Sequence, residues 1–105
     1  MTGDVFVQRT FEVDGREVKC RFFRPEECEV DYVCRYEIEW PGQTRSFRGY
    51  GVDEVQALLL AMQNAHIELL VARTKQGLRV EWLDQQSLGL PIAENVRDLD
   101  PDNRF

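Results

Sequence analysis

The chain predicts an α+β fold: a four-stranded antiparallel meander with one long helix packed on one face and a C-terminal segment folding back. Three observations carry this reading. Asp14-Gly15 separates two stretches of alternating residues, and such a pair marks a two-residue hairpin because both turn positions tolerate positive φ. Tyr32 to Trp40 alternates strictly, with Tyr32, Cys34, Tyr36, Ile38 and Trp40 on one side and Val33, Arg35, Glu37 and Glu39 on the other. That period of two belongs to a strand with one buried and one wet face. Asp53 and Gly77 bracket a long apolar run, with a capping side chain at its start and a left-handed stop at its end.

The first strand runs over 5–13 and the second over 16–24. The Asp-Gly turn sets Val13 against Arg16, Phe11 against Val18, Arg9 against Cys20 and Val7 against Phe22. One face then carries Val5, Val7, Phe11, Val13, Val18, Cys20 and Phe22, with Arg9 as its exception. Pro25 ends the second strand, and Glu26, Glu27, Cys28 and Glu29 follow as a polar loop. The third strand spans 31–40. Pro41-Gly42 turns the chain into a fourth strand over 43–50, with Phe47 inward and Thr44, Ser46 and Arg48 outward.

Gly51 breaks the sheet, and the helix covers 53–75. At 100° per residue, Val55, Leu58, Leu59, Met62, His66, Leu69 and Leu70 form a broad stripe for the sheet. Leu60, Ile67 and Val71 form a flanking stripe, and Ala57, Ala61, Asn64 and Glu68 form a narrow solvated face. The flank needs a second cover. The segment carrying Leu78, Val80, Trp82, Leu88, Leu90 and Ile92 supplies one, and a second copy of the chain supplies another, so the protein is a monomer or a homodimer. Residues 79–83 suit a short strand. Residues 1–96 form one domain, and 97–105 form a polar, frayed tail. The expected core is Val7, Phe11, Phe22, Tyr36, Ile38, Trp40, Phe47, Leu58, Leu59, Met62 and Leu69.

Composition bounds the function. A chain of 105 residues closes one hydrophobic core. Its 43% hydrophobic and 30% charged residues place it among folded chains. The net charge of -6 argues against nucleic acid and anionic membrane, which rely on Lys and Arg, and favours a basic protein partner. The start has no basic and apolar leader, and the apolar run at Leu58 is too short to span a bilayer. Cys20, Cys28 and Cys34 are odd in number, which suits free thiols in a reducing cytoplasm.

No catalytic constellation stands out, so no catalytic residue, metal or cofactor is assigned. The one histidine, His66, falls in the apolar stripe. It is either a core histidine bonded to Tyr36 or a backbone carbonyl, or part of a ligand pocket with Arg9, Cys34 and Tyr36. Arg9 either snorkels past the sheet edge or pairs with a buried anion. Cys20, Cys28, Cys34 and His66 lack the paired cysteine knuckles of a structural zinc site. Gly49-Tyr50-Gly51 lacks the Lys and the Ser/Thr of a phosphate loop. The cluster Glu26, Glu27, Glu29 and Asp31 has no EF-hand spacing and reads as a solvated loop or a dock for a basic protein.

The stretch GVDEVQALLLA, Gly51 to Ala61, together with Gly89-Leu90-Pro91, resembles a family of small, mostly bacterial domains of unknown function. Their pattern is a few strands, then G-x-D-x-x-Q-A-L-x-L-A opening a helix, then a late G-L-P. The resemblance covers Tyr32 to Ile92. It implies a strand-rich domain with one main helix, and it brings no reaction, ligand or catalytic residue. The motif reads as structural: Asp53 caps, Gln56 ties the first turn to the preceding strand, and Ala57 and Ala61 allow close approach.

Overall fold

The computed structural model describes residues 4–103. The order is β1 (Val5–Val13), β2 (Arg16–Phe23), β3 (Glu26–Glu27), β4 (Tyr32–Trp40), β5 (Gln43–Gly51), α1 (Glu54–Lys75) and β6 (Val80–Glu81), followed by a 3-10 helix over Glu94–Leu99. The fold is α+β, with an antiparallel sheet and one long helix. The four long strands pair in sequence, β1 with β2, β2 with β4 and β4 with β5. Two strands of two residues raise the count to six rather than four. β6 pairs with the end of β1, and β3 pairs with the start of β4. Glu26 and Glu27 are therefore strand rather than loop. Pro25 removes one backbone donor but leaves the chain extended, so pairing resumes beyond it.

The hairpin register is the one that Asp-Gly demands. Val13 lies opposite Arg16, Phe11 opposite Val18, Arg9 opposite Cys20 and Val7 opposite Phe22. Asp14 and Gly15 take φ of 51° and 82°. A bulge between Val5 and Val7 shifts Val5 to face Phe23. Val5 thereby leaves the inner face on which strict alternation puts it.

The helix begins as its sequence indicates. Asp53 Oδ1 accepts from the Gln56 N–H at 2.9 Å, and Gln56 Oε1 accepts from the Val52 N–H at 2.8 Å. One free donor of the first turn and the N–H just before the cap are thus satisfied. Gly77, at φ 70°, ends the helix.

The face that α1 turns to the sheet is a correction to the sequence reading. The helix lies over β5 and β4, and the residues on it are Ala57, Ala61, Asn64 and Glu68, the stripe assigned to solvent. Ala57 and Ala61 are buried. Asn64 Nδ2 donates to the Arg48 carbonyl at 3.0 Å, and Glu68 accepts from Arg45 and Tyr36. The cause is a close backbone approach. A Cβ on Gly49 would fall 2.7 Å from the Leu60 carbonyl carbon, and one on Gly51 would fall 2.7 Å from that of Gln56. The two glycines form a trough in β5, and only small helix residues can enter it.

Rotating the helix this way exposes part of the expected core. Leu59 is 41% exposed and Val55 is also in solvent, while Leu69 and Leu70 remain buried. Leu58, Met62 and Trp40 are partly buried against the core. Phe47 is 47% exposed on the edge strand, and Val7 is 40% exposed in the first half of β1. Phe11, Phe22, Tyr36 and Ile38 are buried, together with Leu88 and Leu90 from beyond the helix. The chain reading as a frayed tail, 97–105, is described as far as Asn103, and there Asp100 and Asn103 are buried. Arg104 and Phe105 lie outside the described residues.

Candidate functional site

Three polar clusters sit where the core encloses a side chain that needs a partner. In the first, the Tyr36 hydroxyl donates to Glu68 Oε2, and Arg45 Nε donates to Glu68 Oε1 at 2.6 Å. Burial, then the Glu68 carboxylate, pushes the Tyr36 phenol above its ordinary range. Both Glu68 oxygens are therefore engaged.

The second cluster explains the arginine that breaks the inner face. Arg9 neither snorkels nor meets a carboxylate. Its guanidinium lies 3.8 Å from the centroid of the Trp82 ring, and Nη1 donates to the carbonyls of Leu88 and Gly89 at 3.1 and 2.7 Å. Gly89 takes φ 65°, and a Cβ there would fall 2.9 Å from Trp82 Cε3 and 3.0 Å from Arg9 Nη1. The glycine of G-L-P is thus fixed by space and by backbone conformation together.

The third cluster holds the histidine. His66 Nε2 is 2.9 Å from Asp100 Oδ2. The same oxygen accepts from Asn103 Nδ2 at 3.1 Å and from the Leu88 N–H at 3.4 Å, and Asn103 Nδ2 also donates to the Leu90 carbonyl at 2.9 Å. His66 Nδ1 is buried and has no hydrogen-bond partner among the described residues. Burial pulls the imidazole below its ordinary value of 6.5, against the attraction of Asp100. The partner that the sequence offers His66, Tyr36, bonds Glu68 instead, because Asp100 arrives from the end of the chain.

Cys34 is buried, and its Sγ–H donates to the Phe23 carbonyl at 3.3 Å. Arg9, Cys34, Tyr36 and His66 thus each bond a different group. None of them lines the cavity at the end of α1. That cavity is an open cleft of about 1070 Å³, between the β1–β2 turn, the β4–β5 turn and the last turns of α1. Trp40, Ile67 and Val71 give it apolar walls, and Arg16, Gln43 and Gln76 give it a polar rim. Its two carboxylates are Asp14 and Glu68. Asp14 Oδ1 accepts from the Arg79 N–H at 2.9 Å, and Glu68 serves Tyr36 and Arg45. Among the described residues, no cysteine, histidine, serine or threonine lines the cleft. Its lining offers contact area and hydrogen bonds rather than a nucleophile beside a base.

Among the described residues, the carboxylates close enough to hold a cation are Glu12, Glu81 and Asp84, within 4.8 Å of one another. They lie at the surface, where water screens their repulsion.

The three cysteines are free thiols. Burial pushes Cys20 up to about 12 and Cys34 up to about 11, so neither forms thiolate near neutrality. Iodoacetamide should therefore modify one thiol of the native protein, the exposed Cys28, and all three in urea. Native labelling of Cys20 or Cys34 at the rate of Cys28 would contradict their burial.

Sequence reasoning overlooks Glu68, Arg45, Trp82, Asp100 and Asn103. For Glu68 a signal exists: it continues the stripe of Ala57, Ala61 and Asn64. For Asp100 none does, since a carboxylate in a polar tail looks solvated until a buried donor appears beside it.

Neither a curated protein nor a solved structure matches this chain. A family model does match, over residues 7–92. That span takes in the hairpin, the helix with its Gly51–Gln56 start and the Gly89 loop, and the chain therefore belongs to the family described as "Domain of unknown function (DUF6968)".

Proposed function

We propose that this domain is a non-catalytic, cytoplasmic interaction module that docks a protein partner in the cleft at the end of α1. The observation that supports this reading most directly is the lining of the cleft. It is wide and partly apolar, and both of its carboxylates are already engaged in bonds that hold the fold. Leu88 and Leu90 are buried in the core, and Val71 is left exposed for the partner. Exposed apolar side chains rimmed by polar ones suit a protein surface.

The net charge of -6 favours a basic partner. An immunity-type protein that neutralises such a partner is the concrete version, by analogy of size and charge. The free thiols favour a reducing compartment. The 22 residues of α1 are long and apolar enough by composition to cross a membrane, but their docking on the β5 glycines supports a core helix instead.

Val71→Glu tests the reading, because the side chain is 41% exposed and its replacement leaves the core intact. A protein retained by the native chain should be lost with Val71→Glu at an unchanged melting temperature. Equal retention by both would remove the cleft as the docking surface. The rival reading is a small-ligand site, which the volume of the cleft also accommodates. A metabolite that raises the melting temperature of the native chain and not of Val71→Glu would establish it.

A further inference from the structure

We propose that His66 and Asp100 form an acid-sensitive latch, and that protonation of His66 releases the segment 83–103 while the sheet and α1 stay folded. The inference is independent of the cleft.

Among the described residues, the segment has no backbone pairing to the sheet or to α1. β6 ends at Glu81, and the backbone bridge between Trp82 and Gln85 ties only the first residues of the segment to the chain just before it. Side chains hold it in place. Arg9 donates to the Leu88 and Gly89 carbonyls, Arg73 donates to the Gln86 carbonyl at 2.6 Å, and His66 meets Asp100. The apolar anchors Leu88 and Leu90 lie between these points. Arg9 and Arg73 stay charged at any ordinary pH, so they cannot switch. His66 can.

The geometry sets the direction. With Asp100 as acceptor, neutral His66 carries its proton on Nε2. The next proton must go to Nδ1, which is buried without an acceptor. An unpaired N–H and a positive charge would then both be enclosed in the core. The groups around the ring do not offset this. Burial opposes the added charge most strongly and Arg73, on the same helix, repels it as well, while Asp100 attracts it without making up the difference. From the strands, Cys20 is held neutral, Tyr36 is bonded to Glu68, and Arg9 is bonded to the Leu88 and Gly89 carbonyls.

The folded protein therefore binds this proton less readily than the open form. Stability is complete above the ordinary histidine value of 6.5 and falls as pH drops below it. The loss concentrates in the segment, because Asp100, Asn103, the Leu88 N–H and the Leu90 carbonyl all belong to it. Opening it relieves the histidine without breaking a strand pair.

His66 is the chain's one histidine, so its ring resonances are unambiguous. The experiment follows them by NMR, together with amide exchange corrected for intrinsic rates, between about pH 7.5 and about pH 5. The expected result is ring titration below 6.5, and the bonded amides of the segment, Leu88 and Val96, losing protection about tenfold or more across the same interval. Amides of β4 should hold theirs. His66→Gln keeps a donor for Asp100 and cannot titrate, so its segment should stay protected at the lower pH. Unchanged protection in the native chain, or equal acid opening in His66→Gln, would overturn the latch. If His66→Gln does not fold, the native chain decides alone: ring titration and loss of protection must share one midpoint, and separate midpoints overturn the proposal.

Discussion

Gly49→Ala should destabilise the domain by about 3 kcal/mol, the upper end of the usual cost of forcing atoms into a filled core. The added methyl would sit 2.7 Å from the Leu60 carbonyl carbon and 2.8 Å from the Ala61 Cα. Both are backbone atoms in mid-helix, so no side chain can swing away. Gly51→Ala should behave alike, since its Cβ would meet the Gln56 carbonyl carbon and side chain at 2.7 Å. Gly15→Ala is the control. Its Cβ would have open space, and only its φ of 82° opposes the change, which should cost about 1 kcal/mol. Urea unfolding measures all three. A Gly49→Ala loss no larger than that of Gly15→Ala would mean that the helix does not dock backbone to backbone on β5.

Leu69→Ala should cost about 2–5 kcal/mol, whereas Leu59→Ala should cost under about 1 kcal/mol. The two residues fall in one stripe when the sequence is read at helical period. In the structure Leu69 is fully buried and Leu59 is 41% exposed. The pair therefore measures the rotation of α1 about its own axis. Equal losses would return the helix to the face that hydropathy suggests.

That rotation was hidden because α1 is almost evenly apolar around its circumference. When Val55, Leu58, Leu59, Leu60, Ile67 and Val71 occupy several faces at once, the hydrophobic effect names no winner, since it is not directional. A second signal was present. Gly49 and Gly51 lie on one face of β5, about 6.7 Å apart along a strand. Ala57 and Ala61 lie one turn apart, about 6 Å along a helix. The two pairs match, and the match fixes the register. Reading those glycines as a simple exit from the sheet loses it.

The candidate site divides in the same way. Arg9 stood out because a charge on an apolar face must be accounted for, and its partners are a ring and two carbonyls brought from some eighty residues away. His66 stood out for the same reason, yet its partner comes from a stretch that looks solvated. The cleft was not legible, because its walls come from two turns and a helix end that are distant in sequence.

By itself, the sequence determined what local chemistry controls. The Asp14-Gly15 turn set the β1–β2 register, alternation set the faces of β4 apart from Val33, which is buried rather than wet, and Asp53 and Gly77 set the limits of α1. Each depends on backbone geometry within a few residues. Tertiary structure alone decided which face of α1 is buried, what Arg9 and His66 bond, and where the cleft opens. Those outcomes turn on steric fit and on polar partners supplied by chain far away in sequence, and hydropathy at fixed spacing carries no record of either.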